Sequence, residues 1–150
     1  MVQSDIGKLK EFIEKLKQSC IIKSATFCVM KSQQIYVITE TEMGFCAYYV
    51  NEFSRVDQIG KLRYIIKNDG FYVGYIQSTL VGEGIGTELM KKAVELAKSR
   101  GCERLYLRSY ETAKKFYEKL GFVEGKKDKH DLTEYSINLT KKDKSKNCLF

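Results

Sequence analysis

Residues Gly82-Glu83-Gly84-Ile85-Gly86-Thr87 put three glycines at alternate positions between an apolar, strand-like segment and an amphipathic, helix-like one. That junction constrains the fold more than any other part of the chain. The start of a helix carries main-chain N–H groups without partners and the positive end of the helix dipole, which suits a phosphate. Alternate glycines let such a backbone approach an anion with no Cβ in the way. The plainer reading is an ordinary strand-to-helix turn.

The rest of the chain gives the junction a setting. Ile6, Leu9, Phe12, Ile13 and Leu16 recur at three- and four-residue spacing and predict a helix over 5–19, with Ser4 or Asp5 as its cap. Segments 24–30, 34–39, 45–51, 61–67 and 71–76 are rich in Tyr, Ile, Val and Phe and read as strands. Asn68-Asp69-Gly70 is a tight-turn signal that makes the last two an antiparallel hairpin. After the glycines, Leu89, Met90, Ala93, Val94, Leu96 and Ala97 share a helical face over 87–100, stopped by Gly101. A short strand over 103–108, a helix over 112–120 stopped by Gly121, and strands over 122–124 and 134–139 around a polar loop at 125–131 complete the pattern. Helix, antiparallel strands, helix, strand, helix, strands is an α+β order rather than an alternating βαβ array.

At 150 residues the expectation is one domain over 1–140, followed by a charged tail over 141–150. The Lys-Lys-Asp-Lys run at 126–129 and again at 141–144 is read as coincidence in a Lys-rich chain. No apolar run approaches the ~18 residues of a membrane span, and the N-terminal residues lack a signal-peptide core, so a cytoplasmic, membrane-free protein is expected. Cys20, Cys28, Cys46, Cys102 and Cys148 are odd in number and scattered, which argues for buried thiols and against both a disulfide framework and a metal site. Cys148-Leu149-Phe150 is one residue short of a prenylation box. The net charge of +7 is spread over both termini and several helices instead of interleaving with aromatics, so nucleic acid is not the expected partner, while a small polyanion is drawn in.

Two familiar phosphate loops fit poorly. A Walker loop needs a Gly-Lys-Ser/Thr triplet, and none follows. A dinucleotide fingerprint needs glycine where Thr87 stands, and a parallel βαβ unit where a hairpin is expected. A third pattern fits. Tyr75-Ile76, Val81-Gly82-Glu83-Gly84-Ile85-Gly86-Thr87, and Ala113-Lys114-Lys115-Phe116-Tyr117-Glu118-Lys119-Leu120-Gly121-Phe122 together resemble the GCN5-related N-acetyltransferase (GNAT) family over about a third of the chain.

The resemblance implies a mixed, mostly antiparallel sheet flanked by helices in an α/β/α sandwich, and acetyl-CoA as co-substrate. The N–H groups from Gly82 to Thr87 would hold the pyrophosphate, with Glu83 and Glu88 turned away from it. The backbone of Gly74, Tyr75 and Ile76 would pair with the pantetheine arm, and Tyr117 would serve the departing thiolate. Proton transfer from Tyr (pKa ~10) to an alkyl thiolate (~8.5) is uphill by about 2 kcal/mol, so the service expected of Tyr117 is a hydrogen bond. The chain departs from the family pattern in three places. Val81 replaces an Arg or Gln, Tyr110 replaces an Asn that touches the coenzyme, and the two recurrent general-base Glu positions fall at Leu105 and at Gly70 beside Asp69.

The reaction so implied moves an acetyl group from acetyl-CoA to a primary amine, on a small molecule or on a peptide or protein, by direct attack in a ternary complex. With no evident base, an amine of low pKa is favoured. At pH 7 about 10% of an α-amine is neutral, against less than ~0.1% of a lysine. A longer acyl donor is one variant; a non-catalytic acyl-CoA-binding module is the alternative of another class. Lone His130 in a polar loop, Glu40, Glu42 and Glu52 near strand ends, and Lys114 and Lys115 on a helix surface are weaker candidates, each read first as a solvated side chain.

Overall fold

The computed structural model describes residues 2–140; the expectations for 141–150, including Cys148, lie outside them. Helix α1 (Val2–Gln18) is followed by strands β1 (Ser24–Val29), β2 (Ile35–Glu40), β3 (Gly44–Val50), β4 (Val56–Lys67) and β5 (Gly70–Ser78). Helix α2 (Ile85–Ser99), β6 (Arg104–Ser109), a 3-10 turn (Glu111–Ala113), α3 (Lys114–Lys119), β7 (Val123–Lys127) and β8 (Thr133–Asn138) complete the order. The strands hydrogen-bond in the order β1-β2-β3-β4-β5-β6-β8-β7. β1–β2, β2–β3, β3–β4, β6–β8 and β7–β8 pair antiparallel, and β5–β6 pair parallel through Phe71↔Leu105 and Tyr72↔Tyr106. This is the expected α+β class, with a mostly antiparallel sheet.

The chain falls into two compact units, one made of residues up to Arg63 together with Tyr75–Met90, the other of Tyr64–Gly74 with the chain from Lys91 onward. In the first, Leu9 and Ile13 of α1 are buried with Ile22, Val37 and Val50, and Phe12 packs edge-on against Tyr48 at 4.8 Å. Side chains alternate across a strand, so Val37 and Tyr48 mark the α1 face. Ala47 and its partner Gly60 lie on the other face. There a Cβ on Gly60 would sit 3.0 Å from both Ile85 Cγ2 and Leu89 Cδ1, so the start of α2 rests directly on β4. The two helices thus cover opposite faces of the same strands.

In the second unit the β4–β5 turn is fastened to β6 and β8. Arg104 lies 3.5 Å from Asp69 and 3.2 Å from Glu134, and the Tyr106 hydroxyl donates to Asp69 Oδ1 at 2.7 Å. Gly70 has φ 141°, and a Cβ there would lie 2.8 Å from the Arg104 carbonyl oxygen. Gly101 and Gly121 stop their helices as expected, with φ 74° and 89° and main-chain bonds reaching back into the last turn.

Several boundaries differ from the sequence reading. α1 starts at Val2, so Ser4 and Asp5 lie inside its first turn instead of capping it; Asp5 there still complements the dipole. β4 begins five residues early, at Val56, because pairing with β3 through a bulge at Ala47/Tyr48 carries the polar Asp57-Gln58 along. The expected loop at 125–131 shrinks, since Gly125–Lys127 continue β7. Asp128 turns the chain by accepting the His130 and Leu132 N–H groups.

Candidate active site

The glycine segment forms an open, left-handed cradle just ahead of a helix start. Gly82 and Gly84 have φ 79° and 85°, conformations that side-chain-bearing residues rarely adopt, and a Cβ on Gly82 would point into open space. α2 then begins at Ile85, held by burial of Ile85 and Leu89. The Glu88 N–H reaches Gly84 O at 3.1 Å, so the N–H groups of Ile85, Gly86 and Thr87 precede the first helical acceptor. Val81 is 96% exposed and brings no charge to the cradle.

The acidic side chain inside the loop is accounted for. Glu83 Oε1 accepts the Ser32 N–H at 2.9 Å, and the Glu83 carbonyl accepts the Lys31 N–H at 3.4 Å. The turn between β1 and β2 is therefore strapped to the cradle, and the carboxylate is spent on that strap. The same strap brings Lys31 in: its Cε is 3.9 Å from where a Cβ on Gly84 would stand. Nothing in the sequence marks Lys31, a turn residue some fifty positions upstream of the glycines; only the hairpin register brings it there.

β5 runs from a buried beginning to an exposed end, with Phe71 and Val73 buried, Gly74 and Tyr75 exposed and Ile76 half-buried. The Tyr75 hydroxyl donates to the Gln77 side-chain oxygen. Tyr75, Ile76 and Val81–Thr87 belong to the first unit, whereas Gly74, Tyr110 and Tyr117 belong to the second.

Within the second unit, Tyr117 of α3 is buried at 4% exposure among Phe116, Phe122 and Tyr135, its ring stacked on Tyr135 at 5.1 Å. Burial pushes its phenol above the ordinary tyrosine value, against a hydrogen bond from Ser109 that acts the other way. Among the described residues the buried Tyr135 hydroxyl has no hydrogen-bond partner. Tyr110 is exposed and caps the 3-10 turn with its backbone, accepting the Ala113 N–H at 3.1 Å. Lys114 is ion-paired to Glu124 at 3.2 Å.

Neither Leu105 nor Gly70 carries a carboxylate. Leu105 is fully buried in β6. Asp69 is a turn residue whose carboxyl is held below the usual range, chiefly by the Tyr106 hydroxyl and also by Arg104, which makes it a poor proton acceptor. Among the described residues no cluster of His, Cys, Asp and Glu is arranged to hold a metal. No helix there is long and apolar enough to cross a membrane.

A model of the acetyltransferase (GNAT) family matches residues 11–122. The chain belongs to the GNAT acetyltransferase family. It is also similar to a glucosamine 6-phosphate N-acetyltransferase of Trypanosoma brucei brucei, 40% identical over 58 residues that make up 35% of this chain and 40% of that protein. The match therefore spans well under two thirds of that relative. Among solved structures, a GNAT-family acetyltransferase of Staphylococcus aureus Mu50 aligns with TM-score 0.52 and 22% identity over 65% of this chain and 68% of its own. The PaiA N-acetyltransferase of Thermoplasma acidophilum, solved with coenzyme A, aligns with TM-score 0.52 and 17% identity over 63% and 58%. At these identities the structures speak to the fold. The GNAT sheet and helix order are what the two units contain.

Proposed function

We propose that this GNAT member transfers an acetyl group from acetyl-CoA to a primary amine by direct attack in a ternary complex. The observation that carries the reading is the cradle at 82–87: left-handed Gly82 and Gly84, a helix start behind them, and a Glu83 carboxylate tied off by Ser32. The N–H groups of Gly82 to Thr87 take the diphosphate, and Lys31 supplies the cation that Val81 does not.

The coenzyme brings an acetyl group already activated as a thioester. The protein's part is to hold, orient and desolvate. The backbone of Gly74, Tyr75 and Ile76 pairs with the pantetheine arm, and the Ile76 N–H donates to the thioester oxygen as charge develops on it. The amine nitrogen bonds to the acetyl carbon, the C–S bond breaks, and the electron pair leaves on sulfur. The amine's proton passes to water, since neither Leu105 nor Asp69 offers a base. Tyr117 donates a hydrogen bond to the thiolate; its raised pKa keeps it a neutral donor and makes outright proton transfer more uphill than the reference values imply.

A missing base favours acceptors that are already neutral, so a small-molecule amine or an α-amine is preferred to a protein lysine. The glucosamine 6-phosphate N-acetyltransferase relative supports a small-molecule amine. The absence of a carboxylate base also favours a second reading, a non-catalytic acyl-CoA-binding module. Release of free thiol from acetyl-CoA across a panel of amines at pH 7–9 tests the choice. Turnover supports the transferase, and coenzyme binding without turnover on any amine supports the module.

A further inference from the structure

A cavity of about 460 Å³ opens on the α1 face of the first unit, between the residues just after α1, the β2–β3 turn and β4. Its size falls in the range of small-molecule sites, about 300–1,000 Å³. We propose that this cavity is the acceptor site, and that it takes a primary amine carrying a phosphate monoester, the phosphate being held by Lys61 and Arg63. The assignment rests on the transferase reading above.

Three observations carry it. The first is charge. Lys61 and Arg63 are alternate residues of β4 and line the same cavity. Among the described residues neither has a carboxylate partner; Arg63 Nη1 has only the Met43 sulfur at 3.4 Å. Glu42, the acidic residue of the lining, lies outward beside Lys23 at 3.9 Å with its side chain 87% exposed. Tyr48 stays neutral, its phenol pushed up to about 12 by burial and by Cys46. Two cations facing an otherwise neutral wall match a dianion better than a monoanion.

The second is shape. The cross-strand partners of Lys61 and Arg63 on β3 are Cys46 and Gly44. A Cβ on Gly44 would lie 1.9 Å from the Leu62 carbonyl oxygen, so that position admits only glycine. The place opposite Arg63 is thereby kept free of a side chain.

The third is placement. A Cβ on Gly60 would lie 3.3 Å from the Gln77 carbonyl oxygen, so the next residue, Lys61, stands one strand across from the Ile76–Gln77 peptide. Strand spacing makes that about 5 Å, and Arg63 lies about 7 Å further along the same face. An amine at the thioester and an anion between these cations are thus several bonds apart in one small molecule. The cavity is on the α1 face and the α2 start on the other, so acceptor and coenzyme diphosphate reach these strands from opposite sides. Cations beside the amine also disfavour its protonated form, which suits a site without a base.

The test compares two matched pairs, glucosamine 6-phosphate with glucosamine and phosphoethanolamine with ethanolamine, with acetyl-CoA as donor. It is joined by calorimetric titration of glucosamine 6-phosphate into the protein without coenzyme. The proposal expects kcat/KM at least about tenfold higher for the phosphorylated member of each pair. R63A and K61A should each erode that preference through KM, the double variant should bring the ratio near 1, and the calorimetric binding should weaken in the same order. Wild-type protein that turns over both members of a pair equally, or variants that keep the preference, would overturn it. An amino acid chosen over its amide, with no phosphate preference, overturns the phosphate assignment in favour of a carboxylate. If wild-type protein binds no acetyl-CoA, the transferase reading fails instead, and the coenzyme-free titration still decides whether the cavity binds the phosphorylated amine.

Discussion

The Glu83 carboxylate accepts the Ser32 main-chain N–H at 2.9 Å, across 51 residues of chain. That bond keeps a negative charge out of the glycine cradle and brings a positive one, Lys31, to its edge.

Lys31→Ala should therefore weaken acetyl-CoA binding by about fivefold, the roughly 1 kcal/mol of an exposed ion pair, and Lys31→Arg should restore it. The loss should shrink with added salt. Titration calorimetry at two ionic strengths checks both, and a Lys31→Ala affinity equal to wild type removes Lys31 from the site.

Gly60→Ala would bring a methyl group to 3.0 Å from Ile85 Cγ2 and Leu89 Cδ1, so these side chains at the start of α2 have to give by a few tenths of an ångström. Overpacking of this kind costs about 1–3 kcal/mol. The variant should melt earlier than wild type and bind acetyl-CoA more weakly, because Ile85, whose side chain must yield, anchors the helix start that carries the cradle N–H groups. Denaturant midpoints paired with binding measurements check the coupling.

Tyr117→Phe removes the hydroxyl while leaving the ring to pack on Phe116, Phe122 and Tyr135. Turnover should fall by about 10²-fold, with acetyl-CoA affinity close to wild type. Burial raises the Tyr117 pKa above the ordinary value near 10, so the phenol holds its proton throughout the working range. For an α-amine acceptor, kcat/KM should then climb through the amine's own pKa of about 8 and level off, with no descending limb below pH 10. A descending limb at pH 8–9 contradicts the assignment.

Asp69 titrates below its unfolded value because Tyr106 and Arg104 favour its charged form. A depressed carboxyl contributes stability above its unfolded pKa, about 3.9, and that contribution is lost as pH falls through the folded value. Asp69→Asn should be less stable than wild type at pH 7, and the two should converge below about pH 4. Urea unfolding from pH 2.5 to 7 reads the convergence; a gap independent of pH assigns the loss to packing.

The elements legible in the sequence were those with strong local signals. Leu9 and Ile13 repeat at helical spacing, Asn68-Asp69-Gly70 makes its turn, and Gly101 and Gly121 end their helices with left-handed φ values. The early start of β4 was not legible, because Asp57 and Gln58 are polar and only pairing with β3 makes them strand. The cradle was readable from its glycines, since φ values of 79° and 85° leave glycine little competition. Lys31 and the pair Lys61 and Arg63 were not, because a lysine in a turn and basic residues on a strand look like any solvated surface until the register brings them to the loop or cavity. Leu105 and Gly70 were readable as departures from the family pattern, since neither carries a titratable side chain; that Asp69 beside Gly70 is ion-paired to Arg104 was not, because only the fold brings β6 against that turn.

The central claim is that the main chain at 82–87 binds the diphosphate of acetyl-CoA, and isothermal titration of acetyl-CoA against S-acetylpantetheine tests it most directly. The account predicts saturable binding of acetyl-CoA, at least tenfold weaker binding of the phosphate-free thioester, and loss of that difference in Gly84→Val, whose branched side chain does not tolerate φ 85°. Equal affinity for the two ligands in wild-type protein, or no heat with millimolar acetyl-CoA, would contradict it.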